Sequence, residues 1–288
     1  MLSEEQVYLN GELVPHGEAK ISVEDRGFNF ADGIYEVVRI IEGRPFRIES
    51  HLDRMEGGAR ALEIELPALR EDVGAAVQRV AAANQVAEGT VYVQLTRGVA
   101  PRSHPFPKGV KPTLVMLARP LAGPAEETLE SGVSVVTAPD LRWGYCDVKT
   151  IGLLPNVIAL QRARVEGCFE AIMVRDGVVT EGSHTSAFCV RDGAVYTHPI
   201  DNILPGITRR FLIDALRAEG VDVKETGVPL EAFRTADELF LSGTTTEVMP
   251  IVQIDGETAG SGTPGEITRL GQGLYRGVLE AFREGETS

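Results

Sequence analysis

The chain has 288 residues, 43% hydrophobic and 24% charged, the proportions of a globular protein with a sizeable core in one large or two ordinary domains. A formal net charge of −14 sets it against phosphate backbones and anionic lipid, so neither nucleic acid nor membrane is an expected partner. Three cysteines without CxxC spacing argue against a zinc site or disulfide framework; with no basic-then-apolar leader, the cytoplasm is the expected compartment.

"VYLNGELVP" reads as two short strands around an Asn10-Gly11 turn, and "GIYEVVRIIEGRPFRI" repeats the pattern around Glu42-Gly43. In the latter, Tyr35 and Val37 share one strand face, Ile34 and Glu36 the other. "ESHLDRMEGGARALEIEL" sets Leu52, Met55, Ala59 and Leu62 on one helical face, with Ser50 as the expected N-cap. "REDVGAAVQRVAAANQV" reads as a second helix. "GTVYVQLTRGV" and "KPTLVMLARP" read as strands flanking the loop "APRSHPFPKG". Residues 1–120 therefore form an expected α+β domain. "LAGPAEETLESG" lacks apolar periodicity, and residues 121–132 are the expected linker. The second domain, 133–288, opens with the strand "VSVVTA" and the helix "PNVIALQRARVEG", with Pro155 early and Gly167 at its end. Short strands follow, with Arg-Asp-Gly turns at 175–177 and 191–193, then the helix "ITRRFLIDALRAEG" and the strand–turn–strand "ELFLSGTTTEVMPIVQI". No internal repeat or low-complexity tract is present.

Only five of the 28 basic residues are lysines, and Lys149 precedes the apolar residues Ile151, Leu153 and Leu154. Poor hydration there would favour loss of its proton, and a neutral amine attacks carbonyls to form a Schiff base; equally, the stem could simply pack on a leucine. Two segments suit an anion. "LPGITRRF" places Ile207 and Thr208 at a helix start, and "LSGTTTEVMP" ends a strand with Gly243, Thr244 and two further threonines. Neither is a Walker loop, and no GxGxxG follows a strand. Glu181 in "VVTEGSHTSAF" is either an ordinary turn carboxylate or the anion that keeps a cofactor's ring nitrogen protonated. "TRGVAPRSHPFP" carries Arg97, Arg102 and His104 on a proline-stiffened loop, suited to a substrate carboxylate or merely solvated. Together these are the parts of a pyridoxal-phosphate enzyme.

The segments "EDRGFNFADGIYEVV", "HLDRM", "QLTRGVAPRSHPFP", "LRWGYCDVKTIGLLPNVIALQRARVEGCFEAI", "VTEGSHTSAF", "YTHPIDNILPGITR" and "LSGTTTEVMPI" resemble, in order and spacing, the fold-type IV (class IV) aminotransferases, and within them the D-amino-acid (D-alanine) transaminases. The resemblance implies a two-domain α/β (α+β) fold with a small N-terminal domain and a larger C-terminal pseudo-barrel. It implies pyridoxal 5′-phosphate between them, and a homodimer. It implies Lys149 as Schiff-base lysine and proton shuttle, and Glu181 as partner of the pyridine nitrogen. Arg54, the backbone at Ile207 and Thr208, and Thr244 would hold the phosphate; Leu204 would pack on the ring and Arg142 would lie near its phenolic oxygen. Tyr35, Arg102 and His104 match the residues that trap the substrate carboxylate, the last two reaching from the partner subunit. The implied reaction is ping-pong amino transfer from a D-amino acid such as D-alanine or D-glutamate to 2-oxoglutarate or pyruvate. Branched-chain L-amino-acid transaminases, (R)-amine transaminases and aminodeoxychorismate lyase share the fold, and the "PRSH" loop favours D-amino acids over them. His184 departs from the pattern, standing near Glu181 where a serine is expected, and Gly144 and Tyr145 occupy variable positions.

Overall fold

Asn10 (φ 51°) and Gly11 (φ 108°) take the left-handed backbone that a two-residue hairpin requires, and β1 (Gln6–Leu9) pairs antiparallel with β2 (Glu12–Pro15) across them. The structure, a computed structural model, describes residues 5–66 and 70–286, which divide into two compact units. The first runs to Ala122 and takes in Val148–Gly152; the second holds Gly123–Asp147 and Leu153–Glu286.

In the first unit, α1 (Arg26–Phe30) starts at Asp25, whose side chain accepts from the Gly27 N–H at 2.8 Å. It leads into β3 (Gly33–Ile41), which turns at Glu42-Gly43 into β4 (Arg44–Pro45). Then come α2 (Ile48–Ala61), α3 (Arg70–Ala83), β5 (Glu88–Thr96) and β6 (Thr113–Pro120). The strands form an antiparallel sheet in the order β2-β1-β6-β5-β3-β4. Strand alternation puts Ile34 and Val38 of β3, Val91 and Leu95 of β5, and Met116 of β6 on one face. There they join Leu52, Met55 and Ala59 of α2 and Val73, Val77 and Val80 of α3 in one apolar core. Ser50 is not the N-cap: α2 begins at Ile48, and Arg47 at φ 52° makes the entry turn without a side-chain cap.

β4 pairs with β3 only at Ile40 and Ile41, so the opposite end of that edge needs another partner. Residues 148–152 supply it. The Tyr35 N–H donates to the Lys149 carbonyl at 3.0 Å, the Ile151 N–H donates to Gly33 O at 3.1 Å, and Ile34 bridges Thr150. This is how Val148–Gly152 comes to belong to the first unit although the second flanks it in sequence.

The second unit opens with α4 (Glu126–Ser131), a short helix within the stretch read as a linker. It continues through β7 (Val133–Pro139), α5 (Leu154–Val165), β8 (Glu170–Arg175), β9 (Val178–Gly182), β10 (Ser186–Arg191) and β11 (Ala194–Thr197). After these come α6 (Ile207–Ala218), β12 (Val223–Glu225), β13 (Val228–Pro229), α7 (Leu230–Arg234), β14 (Glu238–Gly243), β15 (Glu247–Ile254), β16 (Glu257–Thr258) and α8 (Glu266–Arg283). Both Arg-Asp-Gly sites are tight turns, with Asp176, Gly177, Asp192 and Gly193 at positive φ. The mixed sheet runs β12-β11-β10-β14-β15-β7-β8-β9-β13, with β16 beside β15. β9 passes into β10 through residues 183–185, the Gly182 N–H donating to Thr185 O at 2.7 Å, so the strands from β10 round to β9 curl back on themselves. Phe188 and Phe240, paired across β10 and β14, stack at 4.7 Å in the interior. α8 buries Thr268, Gly271, Tyr275, Leu279 and Phe282, a helical stripe. No helix among the described residues is long and apolar enough to cross a membrane.

Candidate active site

Main-chain pairing to the β3 edge fixes the Lys149 backbone, and its Nζ lies 4.3 Å from the centre of the Tyr35 ring. Tyr35 in turn meets Tyr92 at 5.5 Å; burial, then the neighbouring Tyr35, push the Tyr92 hydroxyl up to about 12. The lysine therefore rests against an aromatic face. The leucines that suggested desolvation belong to the second unit, and Leu154 is 69% exposed.

Glu36 lies on the core face of β3, between Ile34 and Val38, with its side chain 2% exposed. Burial alone would raise its pKa. Arg54 of α2 overrides this, donating Nε and Nη2 to the two carboxylate oxygens at 2.7 and 2.8 Å, and His51 Nδ1 stands 2.7 Å from Oε2; the carboxyl is held at about 2. Burial lowers the His51 pKa, as do the charges of Arg54 and Lys149, despite Glu36. Arg54, 12% exposed, is the member of this triad that reaches the surface.

In the second unit Glu181 closes β9, buried, and its Oε1 accepts from Arg142 Nη1 and from the Leu204 N–H at 3.1 Å. Arg142, for which the resemblance implied a place near a phenolic oxygen, commits Nε and Nη2 to Asp140 at 2.9 and 2.8 Å. Burial would raise the Asp140 carboxyl, but Arg142 and the Thr180 hydroxyl hold it at about 2. Burial opposes the Arg142 charge, and Asp140 and Glu181 more than compensate. The turn after Glu181 is tied to the buried Glu170, which accepts from the hydroxyls of Ser183 and Thr185 and from the Ala171 N–H. His184 is exposed and points Nδ1 at Glu170 Oε2, 2.8 Å away. Burial of Glu170 is offset by His184 and Ser183, which keep its carboxyl below the usual range.

α6 begins at Gly206 with no side-chain cap and no acid in its first turn. A Cβ at Gly206 would stand 2.8 Å from Ser186 Oγ, and Ser186 pairs with Ser242 across β10 and β14. The backbone at Ile207, the buried Thr208 and the start of the 244–246 turn are thereby gathered at one end of neighbouring strands. Arg102 and His104 lie on the exposed loop of the first unit.

The sequence matches the family model described as amino-transferase class IV over residues 33–254. The chain belongs to the class IV aminotransferases. It is 42% identical to a D-alanine aminotransferase of Staphylococcus epidermidis, over 94% of this chain and 97% of that one. It is 38% identical to one of Bacillus licheniformis, over 92% and 93%. Among solved structures it is similar to a branched-chain aminotransferase of the thermophilic archaeon Thermoproteus uzoniensis with norvaline, at a TM-score of 0.88 and 28% identity, covering 97% of this chain and 96% of that one.

Class IV aminotransferases use pyridoxal 5′-phosphate, and the residues present fit it. The α6 N-terminus has no side-chain cap and a Cβ at position 206 would crowd Ser186 Oγ, the buried Ser242 Oγ on the strand paired with Ser186 has no hydrogen-bond partner among the described residues, and Glu181 supplies a buried carboxylate. Glu36, His51, Asp140 and Glu170 escaped the sequence reading. Glu36 did leave a signal, a charge on the apolar side of an alternating strand; Asp140 and Glu170 left none, because the burial that gives them weight comes from packing and not from their neighbours in the chain.

Proposed function

We propose that this class IV aminotransferase moves the amino group of a D-amino acid to a 2-oxo acid. The observation that carries the reading is Lys149, pinned to β3 with its amine over Tyr35, in a chain that matches D-alanine aminotransferases over more than nine-tenths of its length. Pyridoxal phosphate, when bound, supplies the carbonyl carbon that accepts the amino group and a ring that draws electrons from the substrate Cα–H bond. Lys149 Nζ would hold the cofactor through its carbonyl carbon until the substrate's amine takes that place, and the freed Lys149 amine would then carry the proton removed from substrate Cα; the second half-reaction would run the same proton movement in reverse. Glu181 holds a proton on the pyridine nitrogen, with Arg142 and the Leu204 N–H fixing its Oε1. The backbone at Ile207 and Thr208, with Thr244 and Arg54, binds the phosphate, and Leu204 packs on the ring.

Tyr35, Arg102 and His104 hold the substrate carboxylate in a homodimer, the last two acting in the partner's site. The exposure of both, among the exposed apolar residues Val23, Phe28 and Phe106, supports this. A cytoplasmic location agrees with three free cysteines.

The holoenzyme is tested by single half-reactions followed spectrally with D-alanine, D-glutamate, L-leucine and (R)-1-phenylethylamine. Conversion by the D-amino acids is expected. Conversion by L-leucine alone would replace this reading with the branched-chain activity named for the structural neighbour. Lys149→Ala is expected to lose roughly 10²–10⁴-fold in kcat, and borohydride reduction should no longer attach the cofactor to the chain.

A further inference from the structure

The loop that carries Arg102 and His104 has no helix or strand between Thr96 and Thr113, apart from one bridge from Val99 to Asp25. It is nevertheless held tightly from within. Arg26, 3% exposed, donates Nη1 to Ser103 O at 2.5 Å and Nη2 to His104 O at 3.3 Å, while its Nε donates to Asp32 Oδ2 at 2.7 Å. Arg97 forks onto the same carboxylate at 2.8 and 3.0 Å, donates to the carbonyls of Leu62 and Glu63, and lies 3.6 Å over the Phe106 ring. Burial would raise the Asp32 carboxyl, but the two arginines hold it below its usual value. Phe30, at the end of α1, rests against the Arg26 side of this frame. Arg26 lies 4.7 Å from the centre of the Phe30 ring, Arg102 lies 4.9 Å from it, and the His104 ring is 5.6 Å away. Among the described residues Arg102 has no hydrogen bond and no ion pair; Phe30 is what it rests on. A guanidinium stacked on a ring keeps its N–H edge for a planar anion.

We propose that Phe30, seated on the Arg26–Asp32–Arg97 frame, is a positioning residue that presents Arg102 and His104 as a preformed clamp for the substrate carboxylate. This rests on the transaminase reading above and deepens it. It also gives work to "DRGFNFAD", a segment of the family resemblance to which no role was attached. An exposed proline- and glycine-containing loop that had to order itself around each substrate would lose affinity to the ordering; a loop fixed in advance does not. The donor amino acid and the acceptor 2-oxo acid carry the same carboxylate, so a defect in the clamp weakens both alike. Because that carboxylate is held in ground and transition states equally, the defect appears in KM.

The test is steady-state kinetics of holoenzyme carrying Phe30→Leu and Phe30→Tyr, with amide hydrogen exchange over residues 99–107. Leucine keeps most of the volume and removes the ring face, so KM for D-alanine and for 2-oxoglutarate should each rise about 3- to 30-fold at nearly constant kcat. Exchange over the loop should quicken. Tyrosine, which restores the ring, should restore both KM values and the slow exchange. Unchanged KM in Phe30→Leu, a rise for one substrate alone, or unchanged loop exchange would overturn the proposal. Failure of the wild-type enzyme to turn over D-amino acids would instead overturn the transaminase reading, and the exchange measurement would still decide whether Phe30 fixes the loop.

Discussion

Glu36 shows how one charge is kept inside an apolar core. Its neighbours on the same strand face are Ile34 and Val38, and an unpaired carboxylate among them would take up a proton. Arg54 and His51 prevent this, so the folded pKa of about 2 lies below the ordinary carboxylate value. A depressed carboxylate contributes stability that is fully present above about pH 4.5 and is lost as pH falls towards 2. His51 is also lowered, so its contribution begins to fade below its ordinary value of 6.5. Urea titrations across pH should therefore show stability declining from mildly acidic pH downward. In Glu36→Gln the fall between about pH 4.5 and 2 should flatten, while stability at pH 7 drops by roughly 3–5 kcal/mol because Arg54, largely shielded from water, is left beside a neutral amide. An unchanged slope would show that Glu36 is not the titrating group. The same logic joins Asp140, Arg142 and Glu181, where one buried carboxylate orients the guanidinium that in turn orients the other.

Among the elements, the turns were the most legible. Asn10-Gly11, Glu42-Gly43 and the two Asp-Gly turns all have positive φ where the sequence placed them, because that geometry depends on the turn residues themselves. Helix entry was less legible: α2 starts before Ser50, on a left-handed Arg47 whose conformation no side-chain preference announces. The short helix at Glu126–Ser131 likewise lay in a stretch without apolar periodicity; it buries only Leu129. Cross-strand packing depends on register, which joins Phe188 to Phe240 across more than 50 residues of chain. Both rings are fully buried and stacked. Phe240→Ala is expected to cost about 3–5 kcal/mol, read as a lower urea midpoint with an unchanged slope.

At the scale of the whole molecule, the dimer reading makes a quantitative claim. If Arg102 and His104 serve the partner's site, then Lys149→Ala and Arg102→Ala chains, each defective alone, complement one another. A mixed dimer has one site with both residues intact and one with neither. Random exchange of equal amounts should restore about a quarter of wild-type activity. No recovery after demonstrated subunit exchange would place the clamp within its own protomer.

The sequence alone determined the family, the tight turns and most of the strands, because each of these rests on side chains acting within a few residues of themselves or on motifs that persist along the chain. Tertiary structure decided the rest. It sent residues 148–152 to the open edge of β3, put the Tyr35 ring beside Lys149, and gave Arg142, Arg54 and Arg26 their carboxylates. The reason is physical: what a buried charge pairs with, and what it loses in hydration, is set by residues brought close by packing and not by those beside it in the chain.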